Sequence, residues 1–343
     1  MHAARAGEGG QVGEFVVGGF GHGDDPRTVP GAWRREVRHA ILASVATRYR
    51  VFSVRVAAVT SLTPNFVRVT LTGDALADFS SVGLDQRIKI VLPLPGIGFS
   101  ELPEDEDWYA ARRALPDETR NPLRTYTVRS FRPDARELDI DFVAHGDTGP
   151  ASRWVSACRV GDELRIVGPR VPESPEDLPT GAAEFAPGHA NRILLAGDET
   201  AAPAICAILE ALDVSAVGHV FIEVPTDADR LPVTAPAGVE VRWIARNGAT
   251  HGVRMTDQVH AWASTVAPTS VGRGPAVELT DVDVDEQVLW DVPAPVDERP
   301  VYAWIAGEAG CVKELRRHLV RGVGIDRKQV AFMGYWRHGR AEH

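Results

Sequence analysis

The sequence has few cysteines and no long hydrophobic run. It contains three cysteines in 343 residues, Cys158, Cys206 and Cys311, and no two of them form a C-x-x-C pair. This scarcity argues against a disulfide framework and against a metal site built on cysteine, and it fits a reducing compartment. No apolar run approaches the length of a membrane-spanning helix, and residues 41–46 are too short and too late for a signal peptide. We therefore expect a cytoplasmic protein with no membrane partner and no metal site.

The sequence also lacks an excess of positive charge. Asp and Glu number 47 against 37 Lys and Arg, so the formal net charge is −10. Because no basic stripe stands out either, we do not expect nucleic acid as a partner. The apolar fraction of 44% and the charged fraction of 24% are ordinary for a globular protein, and a length of 343 residues favours two domains.

The first 48 residues differ in character from the rest of the chain. Glycine is dense between Gly7 and Gly23, and no hydrophobic period begins before Trp33. We expect residues 1–48 to be an extension that is disordered up to about Pro30, with a short helix after it. An over-long start of the reading frame would account for the same pattern.

Residues 49–172 show the alternation of a β-rich domain. Segments with a period of two are separated by turn residues and by one short predicted helix, Ala151–Ala157. The acidic segment Gly96–Asn121 is predicted to be a solvated loop or an excursion from the barrel. These features favour a small antiparallel β-barrel. The predicted strands are Val51–Val59, Phe66–Leu71, Gln86–Leu92, Leu123–Arg129, Leu138–Phe142 and Asp162–Val167.

The hydrophobic period changes after a connection rich in Pro, Glu and Gly over residues 170–188. Over residues 186–343, apolar strands alternate with helices, which is typical of an α/β nucleotide-binding domain. Residues 267–300 interrupt this pattern as a polar excursion. The predicted strands are Arg192–Ala196, Val217–Val224, Val239–Ala245 and Tyr302–Ala306, and the predicted helices are Glu199–Leu212, Thr256–Ala263 and Cys311–Arg321. The sequence therefore predicts an α+β protein of two domains.

The strand Leu123–Arg129 carries the first group of candidate ligand contacts. Its period of two places Arg124 and Tyr126 on one face and Thr125 and Thr127 on the other. An Arg can pair with a phosphate through two hydrogen bonds, a Tyr ring can lie against a sugar or a heterocycle, and a Thr hydroxyl can bond a ring heteroatom. A flat, phosphorylated cofactor would suit this strand. An exposed strand with solvated charges would explain the same residues.

A glycine-rich turn ahead of a short helix gives a second candidate site. Free N–H groups at the start of a helix bind anions, and a serine hydroxyl there adds a donor. Together with Arg124, this turn could hold one pyrophosphate. A capped helix after a tight turn, with a packed or solvated histidine before it, explains the same pattern. The residues of the turn are His145, Gly149, Pro150, Ala151 and Ser152.

Two strand-to-helix turns of the second domain, Gly197–Ala201 and Gly307–Glu308, give further candidates. Neither has the G-x-G-x-x-G pattern of a dinucleotide fingerprint. An acidic pair at the first turn would repel a pyrophosphate, so Asp198 either caps the helix or contacts sugar and adenine groups. The segment that follows the domain, residues 332–339, is either a helix end with solvated charge or an aromatic tail that folds over a flat ring.

These motifs together resemble the siderophore-interacting proteins, which are FAD-dependent ferric-siderophore reductases of the ferredoxin–NADP reductase superfamily. The resemblance runs from about residue 50 to the end and excludes the extension. The motifs occur in the order of the family, and each is weak alone. They are Arg124-Thr125-Tyr126-Thr127-Val128-Arg129, His145-Gly146 with Gly149-Pro150-Ala151-Ser152-Arg153-Trp154, Gly197-Asp198-Glu199-Thr200-Ala201, Trp304-Ile305-Ala306-Gly307-Glu308 and Gly334-Tyr335-Trp336-Arg337.

The resemblance implies an FAD-binding β-barrel at 49–172, an NAD(P)H-binding α/β domain with a C-terminal aromatic tail at 186–343, and a monomer. The electron donor would be NADH or NADPH, the substrate a ferric siderophore, and the flavin rather than a side chain would carry the chemistry. Lys89 and Arg337 would contact the anionic siderophore, although a solvated strand lysine explains Lys89 equally well. A general flavin reductase or electron-transfer flavoprotein, and a siderophore carrier without flavin, remain alternatives. The cofactor contacts implied are Arg124, Thr125, Tyr126, Thr127, His145, Gly149, Pro150, Ala151, Ser152, Asp198, Thr200, Ala201, Gly307, Glu308 and Trp336.

Overall fold

The structure is a computed structural model that describes residues 49–104, 108–144, 149–172, 183–190, 192–270, 289–293 and 301–339. The predicted extension over 1–48, the candidate His145 and much of the predicted excursion over 267–300 lie outside these residues. The described strands form two sheets, one of seven strands and one of six. None of the described helices combines the length and the hydropathy needed to cross a membrane.

The seven-stranded sheet is antiparallel throughout, with the strand order β4-β3-β7-β1-β2-β6-β5. Four strands separate β4 from β6 in this order, yet the ring centroids of Tyr126 on β4 and Phe142 on β6 lie 4.5 Å apart. The sheet is therefore curled, and the prediction of an antiparallel barrel-like domain is confirmed. Its strands are β1 (Tyr49–Thr63), β2 (Phe66–Thr72), β3 (Arg87–Val91), β4 (Leu123–Thr127), β5 (Ser130–Arg132), β6 (Glu137–Val143) and β7 (Glu163–Pro169).

Strand β6 shows how the barrel fills its core. Leu138, Ile140 and Phe142 alternate along it, and each is fully buried in the barrel core. The intervening Asp139 and Asp141 are also buried, but they are held by charged and hydroxyl partners on neighbouring strands, such as Arg132 on β5 and Arg68 and Thr70 on β2. Helix α2 (Pro150–Ala157), which matches the predicted helix, adds Ala151 and Val155 to this core.

The prediction that Gly96–Asn121 is a solvated loop is wrong. The segment contains helix α1 (Trp108–Ala114), and Trp108 is 7% exposed. Its side chain forms a small second core with Leu102 from the same segment and with residues of β3, β4 and β7. The acidic run dominates the composition of the segment, whereas its few large apolar residues decide its structure, because burying them removes apolar surface from water.

The six-stranded sheet has the order β10-β9-β8-β12-β13-β11, and all its pairs are parallel except β11 with β13. Along β8, Leu195 packs into the cluster on one face and Leu194 into the cluster on the other, so both faces of the sheet are buried. This confirms the predicted α/β domain. Its elements are β8 (Arg192–Gly197), α3 (Ala202–Ala211), β9 (Val217–Val224), β10 (Gly238–Ala245), α4 (Val253–Ser270), β11 (Trp290–Asp291), β12 (Tyr302–Glu308), α5 (Ala309–Arg316) and β13 (Val330–Trp336).

The C-terminal aromatic residues belong to strand β13, which pairs with β12 in parallel. The interpretation of this segment as a helix end is therefore wrong. Helix α5 ends at Arg316 and continues as one π-helical segment, Arg317–Val323, before β13 begins. The remaining short helices are the 3-10 segments Asp74–Asp78, Asp227–Asp229 and Arg327–Gln329.

Both sheets lie in one compact unit of the chain, and buried polar contacts join them. Asp85, just before β3, accepts hydrogen bonds from the backbone N–H of Phe185 at 3.0 Å and from Trp304 Nε1 on β12 at 2.9 Å. Asp229, after β9, accepts from Thr63 Oγ1 and from the backbone N–H of Asn65 at the β1–β2 turn, both at 2.9 Å. These contacts fix how the barrel faces the α/β sheet.

Candidate functional site

Strand β4 divides its candidate residues between two faces. Arg124 pairs with Ile90 and Tyr126 with Ile88 across the β3–β4 ladder, and both isoleucines belong to the barrel core. On the other face Thr125 pairs with Lys89, and Lys89 Nζ donates a hydrogen bond to Thr125 Oγ1 at 2.6 Å. The predicted faces of this strand are thus confirmed, and Lys89 lies beside Thr125.

Helix α2 lies beside the Arg124 face of β4. The ring of Tyr126 packs on Phe142, whose centroid lies 5.6 Å from that of Trp154 on α2. The helix begins after Gly149, and a Cβ built at Gly149 would meet no atom of the described residues within 4 Å. Because the first N–H groups of a helix have no partner within the helix, an anion can approach this helix start. The structure therefore brings two of the sequence motifs, Arg124–Tyr126 and Gly149–Ser152, to one side of the barrel.

A cavity of about 650 Å³ opens next to this region. Ile90 on β3 pairs with Arg124 on one side and with Ile166 on the other, and the next ladder step brings in Arg165. Arg165 lines the cavity, and its guanidinium lies 4.9 Å from the ring centroid of Phe99. Aromatic rings beside a cation suit a planar heterocycle, which can stack on the first and hydrogen-bond near the second. The lining residues are Pro93, Ile97, Gly98, Phe99, Ser100, Trp154, Asp162, Glu163 and Arg165.

A third feature is an aromatic cluster where β3 meets β11 and β13. Arg87, which pairs with Thr127, lies over the ring of Trp290 at 4.1 Å. Trp290 in turn stacks on Tyr335 with ring planes 12° apart. The hydroxyl of Tyr335 is buried and has no hydrogen-bond partner within the described part of the chain. Burial raises the pKa of Tyr335, so this hydroxyl remains a donor and needs an acceptor.

Asp198 is the centre of the α/β domain's turn region. Its Oδ1 accepts hydrogen bonds from the Thr200 N–H at 2.9 Å and the Thr200 hydroxyl at 2.6 Å. Its Oδ2 accepts from the Glu308 N–H at 2.7 Å and from Trp336 Nε1 at 2.8 Å. One carboxylate thus joins the ends of β8, β12 and β13. Burial, with the charge of neighbouring Glu199, raises the pKa of Asp198 to about 6.

Gly307 permits this arrangement. Its φ is +143°, and a Cβ at this position would lie 2.6 Å from Asp198 Oδ2. Any other residue would displace the carboxylate and strain the backbone. Glu308, the next residue, caps helix α5 by accepting the Cys311 N–H at 2.9 Å. The candidates Asp198, Gly307 and Glu308 are therefore brought together in one hydrogen-bonded group.

A buried charge cluster at the same sheet edge was missed from the sequence. Arg246 donates two hydrogen bonds of 2.8 Å to the carboxylate of Glu199 and a third, of 3.2 Å, to Glu223. Burial lowers the pKa of Arg246, but the two carboxylates outweigh burial and the net shift is upward. These residues come from three different strand ends, and only the tertiary fold joins them.

The candidate substrate contacts lie on different sheets. Lys89 is exposed on β3, and the half-buried Arg337 follows β13 directly. Trp336, the last residue of β13, donates a hydrogen bond to Asp198 and makes an edge contact with His251, with ring centroids 5.0 Å apart. That Lys89 and Arg337 act on one ligand stays a prediction.

The barrel features fit FAD. Arg124 and the open start of α2 suit its phosphates, the cavity beside Phe99 and Arg165 suits a heterocycle, and the buried hydroxyl of Tyr335 offers an unused donor near the Thr127 end of β4. These features surround the β3–β4 edge from two sides, and an extended molecule with phosphates between two ring systems would match them.

Comparison with known proteins agrees with this fit. The family described as siderophore-interacting FAD-binding domain matches residues 55–173, and the family described as siderophore-interacting protein matches residues 190–339. An uncharacterized protein of Mycobacterium tuberculosis is 35% identical over 84% of this chain and 90% of its own length. The ferric vibriobactin reductase ViuB of Vibrio cholerae is 29% identical over 81% of this chain and 86% of its own.

Similarity to a solved structure supports the same family assignment. The siderophore-interacting protein SipS from Aeromonas hydrophila is 31% identical, with a TM-score of 0.60 over 85% of this chain and 94% of its own. Family matches to both domains, in the order barrel then α/β domain, cover most of the described residues. The chain therefore belongs to the siderophore-interacting protein family, and its barrel is the FAD-binding domain of that family.

Proposed function

We propose that this protein is an FAD-dependent oxidoreductase that reduces the iron of ferric siderophores, with a reduced nicotinamide nucleotide as the electron donor. The observation that carries the proposal is the open helix start at Gly149 beside the Arg124 face, in a domain that matches the FAD-binding family. Relatives named ferric vibriobactin reductase and ferric acinetobactin reductase support the choice of substrate.

The chain's own residues bind and orient the cofactor. Arg124 pairs with a phosphate, the N–H groups at the start of α2 hold the adjoining one, and the Tyr126 ring supports the sugar-like chain. Thr127 and the Tyr335 hydroxyl supply hydrogen bonds at the opposite end. The chemistry that FAD supplies when bound is the exchange between a two-electron hydride donor and a one-electron acceptor such as Fe(III).

The charge of the substrate calls for positive side chains where it docks. Ferric siderophores of the catecholate and hydroxycarboxylate types are anionic, while this chain carries a net charge of −10. Lys89 and Arg337 provide local positive charge that offsets this repulsion. Because siderophore oxygens prefer Fe(III) to Fe(II), reduction alone loosens the metal and no hydrolytic residue is needed.

An anaerobic assay tests the proposal directly. The purified protein is mixed with NADH or NADPH and with individual ferric siderophores, and an Fe(II) chelator reports the product. We expect Fe(II) at a rate that depends on the siderophore and saturates with it. A protein that reduces free flavin but shows no saturation with any ferric siderophore would instead be a general flavin reductase. Purified protein without flavin would point to a carrier.

A further inference from the structure

Helix starts at the edge of the α/β sheet are the usual place for dinucleotide phosphates. In doubly wound domains the pyrophosphate lies against the N–H groups of a helix that follows a parallel strand. Here β8, β9, β10 and β12 are parallel, so their carboxyl ends share one edge, and α3, α4 and α5 all begin there. This edge is where a nicotinamide nucleotide would be expected to bind.

Carboxylates of the protein already accept hydrogen bonds from N–H groups at the starts of α4 and α5, and a third carboxylate lies in the turn just ahead of α3, which has no side-chain cap of its own within the described residues. Ahead of α3, Asp198 accepts the Thr200 N–H at 2.9 Å. At α4, Glu223 accepts the Gly252 N–H at 2.8 Å and the Met255 N–H at 3.3 Å. At α5, Glu308 accepts the Cys311 N–H at 2.9 Å. Each contact replaces the bond that a phosphate oxygen would make.

The cation bound to Glu223 does not reverse the charge of this edge. Arg246 is bound to both Glu199 and Glu223, and all three side chains are buried. Two carboxylates and one guanidinium leave this cluster net negative, and Asp198 adds another acid next to Glu199. A pyrophosphate placed at the start of α4 or α5 would thus meet a carboxylate on the N–H donors, and one placed near α3 would meet the negative charge of Asp198 and Glu199.

We propose that the α/β domain recognises the nicotinamide riboside end of its donor and gives no anchor to the pyrophosphate and adenosine. Asp198, Glu223 and Glu308 are the residues that set this specificity. The inference rests on the proposed function only in its choice of a nicotinamide donor. It predicts that donors lacking the adenosine half serve nearly as well as the full dinucleotides.

Binding of ADP-ribose tests the inference without any turnover. ADP-ribose carries the pyrophosphate and adenosine but no nicotinamide, and it is titrated by calorimetry into the oxidised, FAD-loaded full chain. We expect no saturable binding up to millimolar concentration. Binding in the micromolar range would overturn the inference, because it would show a functioning phosphate anchor at some other cation of this edge.

A variant of Glu308 without its charge tests whether this carboxylate opposes ADP-ribose binding. Glu308→Gln keeps an oxygen to cap α5 and removes the charge, so ADP-ribose affinity should rise at least about tenfold. Glu314→Gln makes the same change on the exposed second turn of α5 and should leave the affinity as in the wild type. Equal behaviour of the two variants would contradict the role of Glu308.

Flavin reduction supplies a second readout. We compare NADH, NADPH and reduced nicotinamide mononucleotide by stopped-flow absorbance and expect rate constants within about fivefold. A dinucleotide that is faster than the mononucleotide by a hundredfold would overturn the inference. If no dihydronicotinamide reduces the flavin while dithionite does, the donor in the proposed function is wrong, and the ADP-ribose titration still decides the present point.

Discussion

The barrel and the α/β domain use the same local geometry with opposite electrostatics. In the barrel, α2 begins after Gly149, and no atom of the described residues lies within 4 Å of a Cβ built at this glycine. In the α/β domain, strands lead to α4 and α5, whose starts are held by Glu223 and Glu308, and Asp198 binds the turn just ahead of α3. A helix start attracts anions only while its N–H groups are unpaired. The comparison favours retention of a phosphorylated cofactor in the barrel and, by the inference proposed above, a weaker hold on the phosphates of the donor in the α/β domain.

The largest expected effect concerns the buried cluster of Arg246, Glu199 and Glu223 in the α/β domain. Arg246→Met would leave the buried carboxylates of Glu199 and Glu223 without their cation, which should lower the free energy of unfolding by about 3–5 kcal/mol. Urea unfolding followed by circular dichroism measures this free energy. Arg242→Met is the matched control, because Arg242 lies on β10, the strand that Arg246 follows, and pairs with Glu240 at the surface. Equal stability of the two variants would show that the cluster does not offset buried charge.

The second prediction concerns Arg124, the cation beside the start of helix α2. Arg124→Ala should weaken FAD binding by about 10- to 100-fold, the loss expected for charge-assisted hydrogen bonds. Arg124→Lys should recover only part of this, since an ammonium cannot form the paired contact. The flavin-to-protein ratio after purification and fluorescence titration of FAD give the affinity. Arg113→Ala on α1, an exposed arginine, serves as the control, and unchanged flavin content in the Arg124 variant would exclude the phosphate role.

The comparison also shows what the sequence could and could not predict. Local signals identified β4, α2 and the α/β pattern, and capping by Asp198 was one of two roles weighed. Contacts between strand ends far apart in the chain left no local signal. The pairing of Arg246 with Glu199 spans 47 residues, and each residue alone reads as a surface charge. Helix α1 was missed because a few apolar residues sit in an acidic run.

Strand β13 is a second element that the sequence alone did not predict. Its residues Val330–Trp336 are apolar and aromatic, as strands often are, but their position after the last helix led to the interpretations as a helix end or an aromatic tail. The partner strand β12 ends at Glu308, and 21 residues separate it from β13. Pairing with β12 on one side and with β11 on the other makes this segment a strand of the sheet. Pairing of this kind is set by tertiary packing rather than by local preference.

The third prediction concerns a substitution that places a capping carboxylate at the start of helix α2. Gly149→Asp would place a carboxylate at the start of α2, as in the α/β domain, and the extended backbone there accepts any residue. The cap should stabilise the flavin-free protein by about 1 kcal/mol and weaken FAD binding by about tenfold. Gly149→Ser, which caps without charge, separates the two effects. Thermal unfolding and FAD titration are the measurements, and tighter FAD binding in the Asp variant would refute the phosphate assignment.

The smallest expected effect concerns docking of the substrate between the two domains. Replacing both Lys89 and Arg337 with Ala should raise the KM for an anionic ferric siderophore several-fold and leave flavin reduction by the nicotinamide donor nearly unchanged. Local positive charge matters here because the net charge of −10 repels the substrate at longer range. The difference from the wild type should shrink as salt is added, since screening weakens exposed charge pairs. A ferric siderophore of zero net charge is the control and should show the same KM with both proteins. An unaltered KM for the anionic substrate would remove these residues from the docking site, whereas slowed flavin reduction would place them at the donor site.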